Sequence, residues 1–159
     1  MIVAAPTIAL RPAQPADRDF LARVYASTRL DELAHVGWTP DQLAAFLEHQ
    51  FSAQTEHYAR HYPDATFDVV LVDGEPAGRL IVDRWEHELR IVDITLLPEF
   101  RGRGVGTRLL TDVLGEAEER GAKVSIHVEA NNPAMTLYRR LGFSGVSSHG
   151  VYLLMERPA

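Results

Sequence analysis

The chain of 159 residues contains no cysteine. That excludes disulfides, thiolate metal sites, iron–sulfur clusters and a cysteine nucleophile. Basic residues are in the minority: 16 Lys and Arg face 22 Asp and Glu, for a net charge of −6. A chain of this sign is not a general binder of nucleic acid or of anionic membranes. No apolar run approaches the ~20 residues of a membrane span. The opening Met1 to Pro6 has no basic stretch and too short an apolar one for a signal peptide, so the cytoplasm is the expected compartment. Repeats, low-complexity tracts and interdomain linkers are also missing, and a single domain over residues 1–159 is expected. What is present is a globular balance, 46% hydrophobic and 24% charged, enough for a packed core.

Local patterns predict the elements in order. Thr7 to Arg11 reads as a first strand, and a helix carrying Phe20, Leu21, Val24 and Tyr25 on one face follows Pro15. The charged stretch around Asp31 and Glu32, with Gly37 and Trp38, reads as a loop. Thr39, Pro40 and Gln42 form a capping box with a proline start, opening a helix that Pro63 stops. Residues 67–72, 78–82 and 88–97 read as three strands joined by short turns, an antiparallel meander. Gly104 to Glu119 is an amphipathic helix with Val105, Leu109, Leu110, Val113, Leu114 and Ala117 on one stripe, closed by Gly121. A strand at 123–128, a short helix at 133–141 and a hairpin around His149 and Gly150 complete an α/β sandwich on a mixed sheet.

The segment Arg101-Gly102-Arg103-Gly104-Val105-Gly106-Thr107 lies between a buried strand and an amphipathic helix. Glycines at alternate positions let backbone N–H groups approach a ligand. The helix start offers unsatisfied N–H groups and a positive dipole end. Arg101, Arg103 and Arg108 add cations, and together these make a phosphate or pyrophosphate cradle. The segment is not a P-loop, for it has no lysine, nor a dinucleotide fingerprint, because its third glycine is missing.

A second stretch, Asn131-Asn132-Pro133-Ala134 through Leu137-Tyr138 to Leu141-Gly142-Phe143, begins about 25 residues later. With both stretches in hand, the sequence resembles the GNAT superfamily of acetyl-CoA-dependent N-acyltransferases. Arg101 to Gly106 looks like the family's Arg/Gln-x-x-Gly-x-Gly/Ala motif, and Asn132 to Phe143 looks like its second motif. Leu10-Arg11-Pro12-Ala13 and Asp17 are similar to the family's first strand and helix. The resemblance implies a mixed, mostly antiparallel central sheet with helices on both faces, splayed between the fourth and fifth strands. It implies acetyl-CoA as cosubstrate and no metal. The pantetheine arm is then expected along the fourth strand at Leu96 and Leu97, where a backbone N–H polarises the thioester carbonyl. The N–H groups of Gly102, Arg103, Gly104, Val105, Gly106 and Thr107 hold the pyrophosphate, and either Asn131 or Asn132 contacts pantetheine. Tyr138 occupies the position of the general acid that protonates the departing thiolate.

The acceptor side is less marked. The implied reaction moves an acetyl group to a primary amine, small molecule or peptide, by direct attack. The amine must lose a proton. Asp93 on the fourth strand, His127 and Glu129 on the fifth, and Glu32 in the loop before the second long helix are the candidate bases. Period-2 alternation puts His127 and Glu129 on one face. Glu32, Trp38, Gln54 and Tyr58 belong to the expected acceptor wall. His57 and His61 have a spacing that permits metal ligation, but no Glu-x-x-His core accompanies them. Neither nucleic acid nor membrane is an expected partner, and the resemblance allows a homodimer. The alternative function is an acyl-CoA binding or sensing module of the same fold without turnover.

Overall fold

The computed structural model describes residues 4–159. The strands are β1 (Ile8–Pro12), β2 (Thr66–Val72), β3 (Glu75–Arg84), β4 (Glu88–Leu96), β5 (Lys123–Glu129), β6 (Ser144–His149) and β7 (Tyr152–Arg157). The α-helices are α1 (Arg18–Ser27), α2 (Leu30–Leu33), α3 (Pro40–His61), α4 (Val105–Arg120) and α5 (Met135–Arg140). One seven-stranded sheet runs in the order β1-β2-β3-β4-β5-β7-β6. Only the β4–β5 pair is parallel, because α4 is the long crossover between those two strands. The mixed, mostly antiparallel sheet expected from the sequence is the observed one, and among the described residues no helix is long and apolar enough to cross a membrane.

One expectation fails locally. The stretch around Asp31 and Glu32, expected as loop, contains the single helical turn α2. Leu-Asp-Glu-Leu is a run with no breaker, its two acids sit in the first turn, and the Leu33 N–H donates to Arg29 O at 3.1 Å. The capping box at α3 forms as read: the Gln42 N–H donates to Thr39 Oγ1 at 3.2 Å, and the Thr39 N–H donates to Gln42 Oε1 at 3.0 Å. The six-residue apolar stripe of α4 is buried in full. It packs with Val70, Leu80, Val82, Leu89 and Ile91, and with Val124, Ile126 and Val128 of β5.

The opposite face of the sheet carries α1 and α3. Tyr25 of α1 meets Phe51 of α3 with ring centroids 5.9 Å apart, and the Arg18 guanidinium lies 5.3 Å from the Phe51 ring centroid. A bulge at Val92 decides what this face presents. Val82 pairs with Ile91, but Ile81 pairs with Asp93, so Val92 is extra. The alternation therefore changes phase. Ile94 and Leu96 continue the core face begun by Leu89 and Ile91, and Asp93 and Thr95 join Arg79 and Ile81 on the α1/α3 face.

The entry to α1 is fixed electrostatically. Arg11 donates to both oxygens of Asp17 at 2.8 Å, and the Gln14 N–H donates to Asp17 Oδ2 at 2.8 Å. These bonds, led by that of Arg11, lower the Asp17 carboxyl to about 2. A depressed carboxyl stabilises the fold at pH values above its unfolded pKa near 3.9, and that contribution is lost as pH falls through the folded value. Asp17→Ala is expected to cost about 1 kcal/mol at pH 7, a modest figure because Arg11 is partly exposed and water screens the pair. Urea midpoints of the two proteins should differ at pH 7, and the gap should narrow as pH falls toward 2. A gap unchanged at pH 2 would mean that packing, not ionisation, is the source.

Candidate functional site

The glycine loop follows β4 through a short 3₁₀ turn, Pro98–Phe100. Gly102 and Gly104 have φ of 75° and 80°, left-handed values that glycine adopts without a Cβ penalty. Gly104 is the N-cap of α4 and offers no side chain to cap it, and the first turn has no acidic residue. Among the described residues the N–H groups of Val105, Gly106 and Thr107 have no acceptor, and the first closed bond is Arg108 N–H to Gly104 O at 3.1 Å. Gly106 is the informative residue. Its φ is not left-handed, and a Cβ built there meets nothing within 4 Å. Glycine inside a helix costs roughly 0.5–1 kcal/mol relative to alanine. No protein atom fills the space beside Gly106, so the first turn is open to a ligand there.

The arginines of the loop divide. Arg108 is paired to Asp112 at 3.2 Å. Arg101 and Arg103 are exposed and, among the described residues, have no carboxylate partner. Arg103 stacks at 5.5 Å from the Phe100 ring centroid, and Arg101 Nε donates to Leu96 O at 3.0 Å. Two uncompensated cations thus flank a cluster of free N–H groups in a chain of net charge −6.

Beside the loop the sheet opens. β4 and β5 pair only from Glu88/Lys123 to Ile91/Ile126, while β4 runs on to Leu96 and β5 to Glu129. Backbone N–H groups along a strand alternate in direction. Leu97 donates its N–H to Ala77 O of β3 at 2.8 Å, so it faces away from the gap. By alternation the Leu96 N–H faces into the gap. Of the two leucines expected to offer main-chain donors, only Leu96 does so.

Tyr138 stands on α5, 4% exposed, edge-on to Phe143 at 5.9 Å. Burial first, and the Asp93 charge second, push its phenol up to about 12. Its hydroxyl has no partner among the described residues and is not sealed from open space. Ahead of α5, Asn132 Oδ1 accepts the Ala134 N–H at 2.8 Å, a local turn that occupies that oxygen. Asn131 is exposed and its side chain makes no such bond. Arg139 and Arg140 are exposed in the last turn of α5.

The candidate bases fall into different environments. Asp93 is engaged at both oxygens: the Arg79 guanidinium donates to Oδ2, and the Thr95 hydroxyl donates to Oδ1 at 2.6 Å. His127 is exposed on the same sheet face. Arg90 Nη1 lies 3.3 Å from its Nδ1. A guanidinium only donates, so Nδ1 accepts and the ring proton sits on Nε2. Burial, then the charges of Arg90 and His149, lower the His127 pKa. Glu32 is exposed and paired with Arg29 at 3.2 Å, one turn back on the chain. Glu129, half-buried on β5 opposite Tyr152 of β7, has no ionic partner among the described residues. Trp38 stacks on Phe46 at 4.9 Å, at the start of α3. His57 and His61 stack at 4.1 Å, and His61 Nδ1 lies 3.0 Å from His57 O.

Sequence reasoning missed Arg79. Its side chain is 7% exposed, its Nη2 donates to Gln54 Oε1 at 2.6 Å, and its guanidinium carbon lies 5.7 Å from the Tyr58 ring centroid. The available signal was a single cation inside an apolar strand, which requires a buried acid beside it.

The match to the acetyltransferase (GNAT) family covers residues 29–143, and the chain belongs to that family. It is 39% identical over 111 residues to streptothricin acetyltransferase of Streptomyces lavendulae, a match that spans 58% of each chain. It is 37% identical over 121 residues to mycothiol acetyltransferase of Corynebacterium glutamicum, covering 73% of this chain and 37% of that one. The chain spans little more than half the length, or less, of these curated relatives. In fold it is similar to the PaiA N-acetyltransferase of Thermoplasma acidophilum in complex with coenzyme A, with a TM-score of 0.72 at 16% identity, over 96% of this chain and 99% of that one.

Proposed function

We propose that this chain is an N-acetyltransferase that moves an acetyl group from acetyl-CoA to a primary amine. The observation that carries the reading is the cluster of free N–H groups at the start of α4, flanked by the unpaired Arg101 and Arg103 and followed by the parting of β4 from β5. The N–H groups from Gly102 to Thr107, with Arg101 and Arg103, would hold the pyrophosphate, the Leu96 N–H would face the thioester, and Asn131 would reach pantetheine. Bound acetyl-CoA supplies an activated acyl carbonyl. The relatives named for streptothricin and mycothiol support an amine acceptor of the small-molecule kind. A need for acetyl-CoA supports a cytoplasmic location.

In this reading the amine nitrogen forms its bond to the acyl carbon, the carbon–sulfur bond breaks, and one amine proton leaves. The Leu96 N–H donates to the carbonyl oxygen as charge builds on it. Tyr138, held protonated, donates to the departing sulfur. The proton acceptor is Glu129, through water. Asp93 has both oxygens engaged, Glu32 is paired on α2, and the accepting nitrogen of His127 is taken by Arg90. Glu129→Gln should lower turnover by roughly 10²-fold and leave CoA affinity unchanged. Undiminished turnover in that variant assigns the proton elsewhere.

The absence of cysteine makes the main test clean, since a thiol reagent reads released CoA with no protein background. Amine-dependent release is expected on screening small amines, polyamines, aminoglycosides and peptide N-termini. CoA binding without release on any of them would overturn the transferase reading.

A further inference from the structure

The last pair between β4 and β5 is Ile91 with Ile126, so His127 is the first residue of β5 past it and stands at the root of the gap. It is held from behind. The Arg90 side chain is largely buried, 13% exposed, and its guanidinium lies 5.1 Å from the Trp85 ring centroid. Nε donates to Ser125 Oγ at 2.7 Å, Nη2 donates to Glu88 Oε2 at 3.2 Å, and Nη1 meets His127 Nδ1 at 3.3 Å. The Ser125 hydroxyl closes the ring of contacts by donating to the same Glu88 oxygen. Asp83 lies directly across from Arg90 on β3 and is 7% exposed. Its carboxylate offers the stronger, charge-assisted bond, yet every nitrogen of Arg90 is turned elsewhere. The guanidinium grips an imidazole in preference to a buried acid.

That grip fixes what the ring can do. With Nδ1 accepting from Arg90, the ring proton is on Nε2, and Nε2 has no partner among the described residues. The exposed end of the ring is therefore an N–H donor with no free lone pair. A donor on the acceptor side takes an oxygen. Glu129 shares the face of β5 with His127, two residues or about 6.6 Å along the strand, and has no ionic partner among the described residues. A second carboxylate beside it would be repelled. A neutral amide carbonyl is not repelled, and it only accepts, as the ring nitrogen only donates.

We infer that His127 is a specificity residue whose Nε2–H donates to a carbonyl oxygen of the acceptor, so that the preferred acceptors are primary amines carrying a neutral amide. Arg90 is the positioning residue that holds the ring in this tautomer. The inference rests on the transferase reading and gives its acceptor a chemical class.

The test compares CoA release with three amides and their alkyl isosteres: glycinamide with 2-methylpropan-1-amine, β-alaninamide with 3-methylbutan-1-amine, and 4-aminobutanamide with 4-methylpentan-1-amine. The quantity read is the kcat/KM of each amide over that of its isostere. Comparing this ratio between variants cancels the intrinsic reactivity of the amines. His127→Phe keeps a ring at an exposed position and removes the N–H. It should lower the ratio about fivefold or more for at least one pair, chiefly through KM, with the circular dichroism of the parent. His127→Gln, which restores an N–H donor, should recover part of the loss. Nitrogen NMR of 15N-histidine protein gives a readout without turnover. The His127 signals, identified by their loss in His127→Phe, should show the Nε2–H tautomer in the parent and a mixture of tautomers in Arg90→Met. A Nδ1–H tautomer in the parent, or ratios unchanged in His127→Phe for all three pairs, would overturn the inference and leave the transferase reading standing. Release with no amine at all would overturn that reading, and the inference with it.

Discussion

Gly106→Asp should leave the protein as stable as the parent or slightly more so, and should weaken CoA binding by about a hundredfold or more. The two halves of this result have opposite signs for one reason. Position 106 lies in the first turn of α4, where a carboxylate complements the helix dipole by about 0.3–1 kcal/mol. Its Cβ meets no protein atom within 4 Å, so no clash offsets that gain. The same negative charge would stand among the free N–H groups that the Proposed function gives to the pyrophosphate. A hundredfold loss corresponds to about 2.8 kcal/mol, the scale of one repulsive contact plus the charge-assisted bonds it displaces. Thermal melting and calorimetry with CoA measure the two halves separately. A variant that melts like the parent and still binds CoA like the parent would remove the loop from the cofactor site.

Tyr138→Phe is expected to lower turnover by roughly 10²-fold, with CoA affinity nearly unchanged, within the range for a positioned proton donor. The ring packs on Phe143 and the phenylalanine keeps that packing, so the change removes only the hydroxyl. With its pKa pushed up to about 12, the phenol stays protonated throughout the working pH range. The same value sets its role. A thiol ionises near 8.5, so full proton transfer from Tyr138 to the leaving sulfur runs uphill by more than three decades. In the proposed reaction the residue would therefore act as a hydrogen-bond donor to the sulfur while charge develops, with the amine's proton passing to Glu129 and solvent. A pH–rate profile of the parent with no limb assignable to Tyr138 below pH 10 agrees with this. Equal turnover of Tyr138→Phe and the parent, with chemistry rate-limiting, would return the residue to packing alone.

Much of the fold was legible because its signals are local. The capping box at Thr39, the stripe on α4 and the stop at Gly121 each depend on residues within a turn or two of one another, and each forms as read. The turn at Leu30–Leu33 was obscured because two acids and a following glycine look like loop composition. The acceptor side carried no such local signal. Asp93, His127, Glu129 and Glu32 looked equivalent as a set of acids and an imidazole, and their differences lie in partners far away in sequence: Arg79 for Asp93 and Arg90 for His127.

The sequence alone determined the glycine loop and its place between strand and helix, since backbone freedom and helix starts are written in neighbouring residues. Tertiary structure decided which way the strand residues point. Strict alternation along β4 groups Asp93 with Leu89 and Ile91; the bulge at Val92 turns it instead toward Arg79 and α3. A bulge is a mismatch in count between two paired strands, so it cannot be read from either one. The same pairing consumes the Leu97 N–H on Ala77 and leaves that of Leu96 facing the gap. Where β4 and β5 part is likewise a property of the pair, and it sets the opening between them.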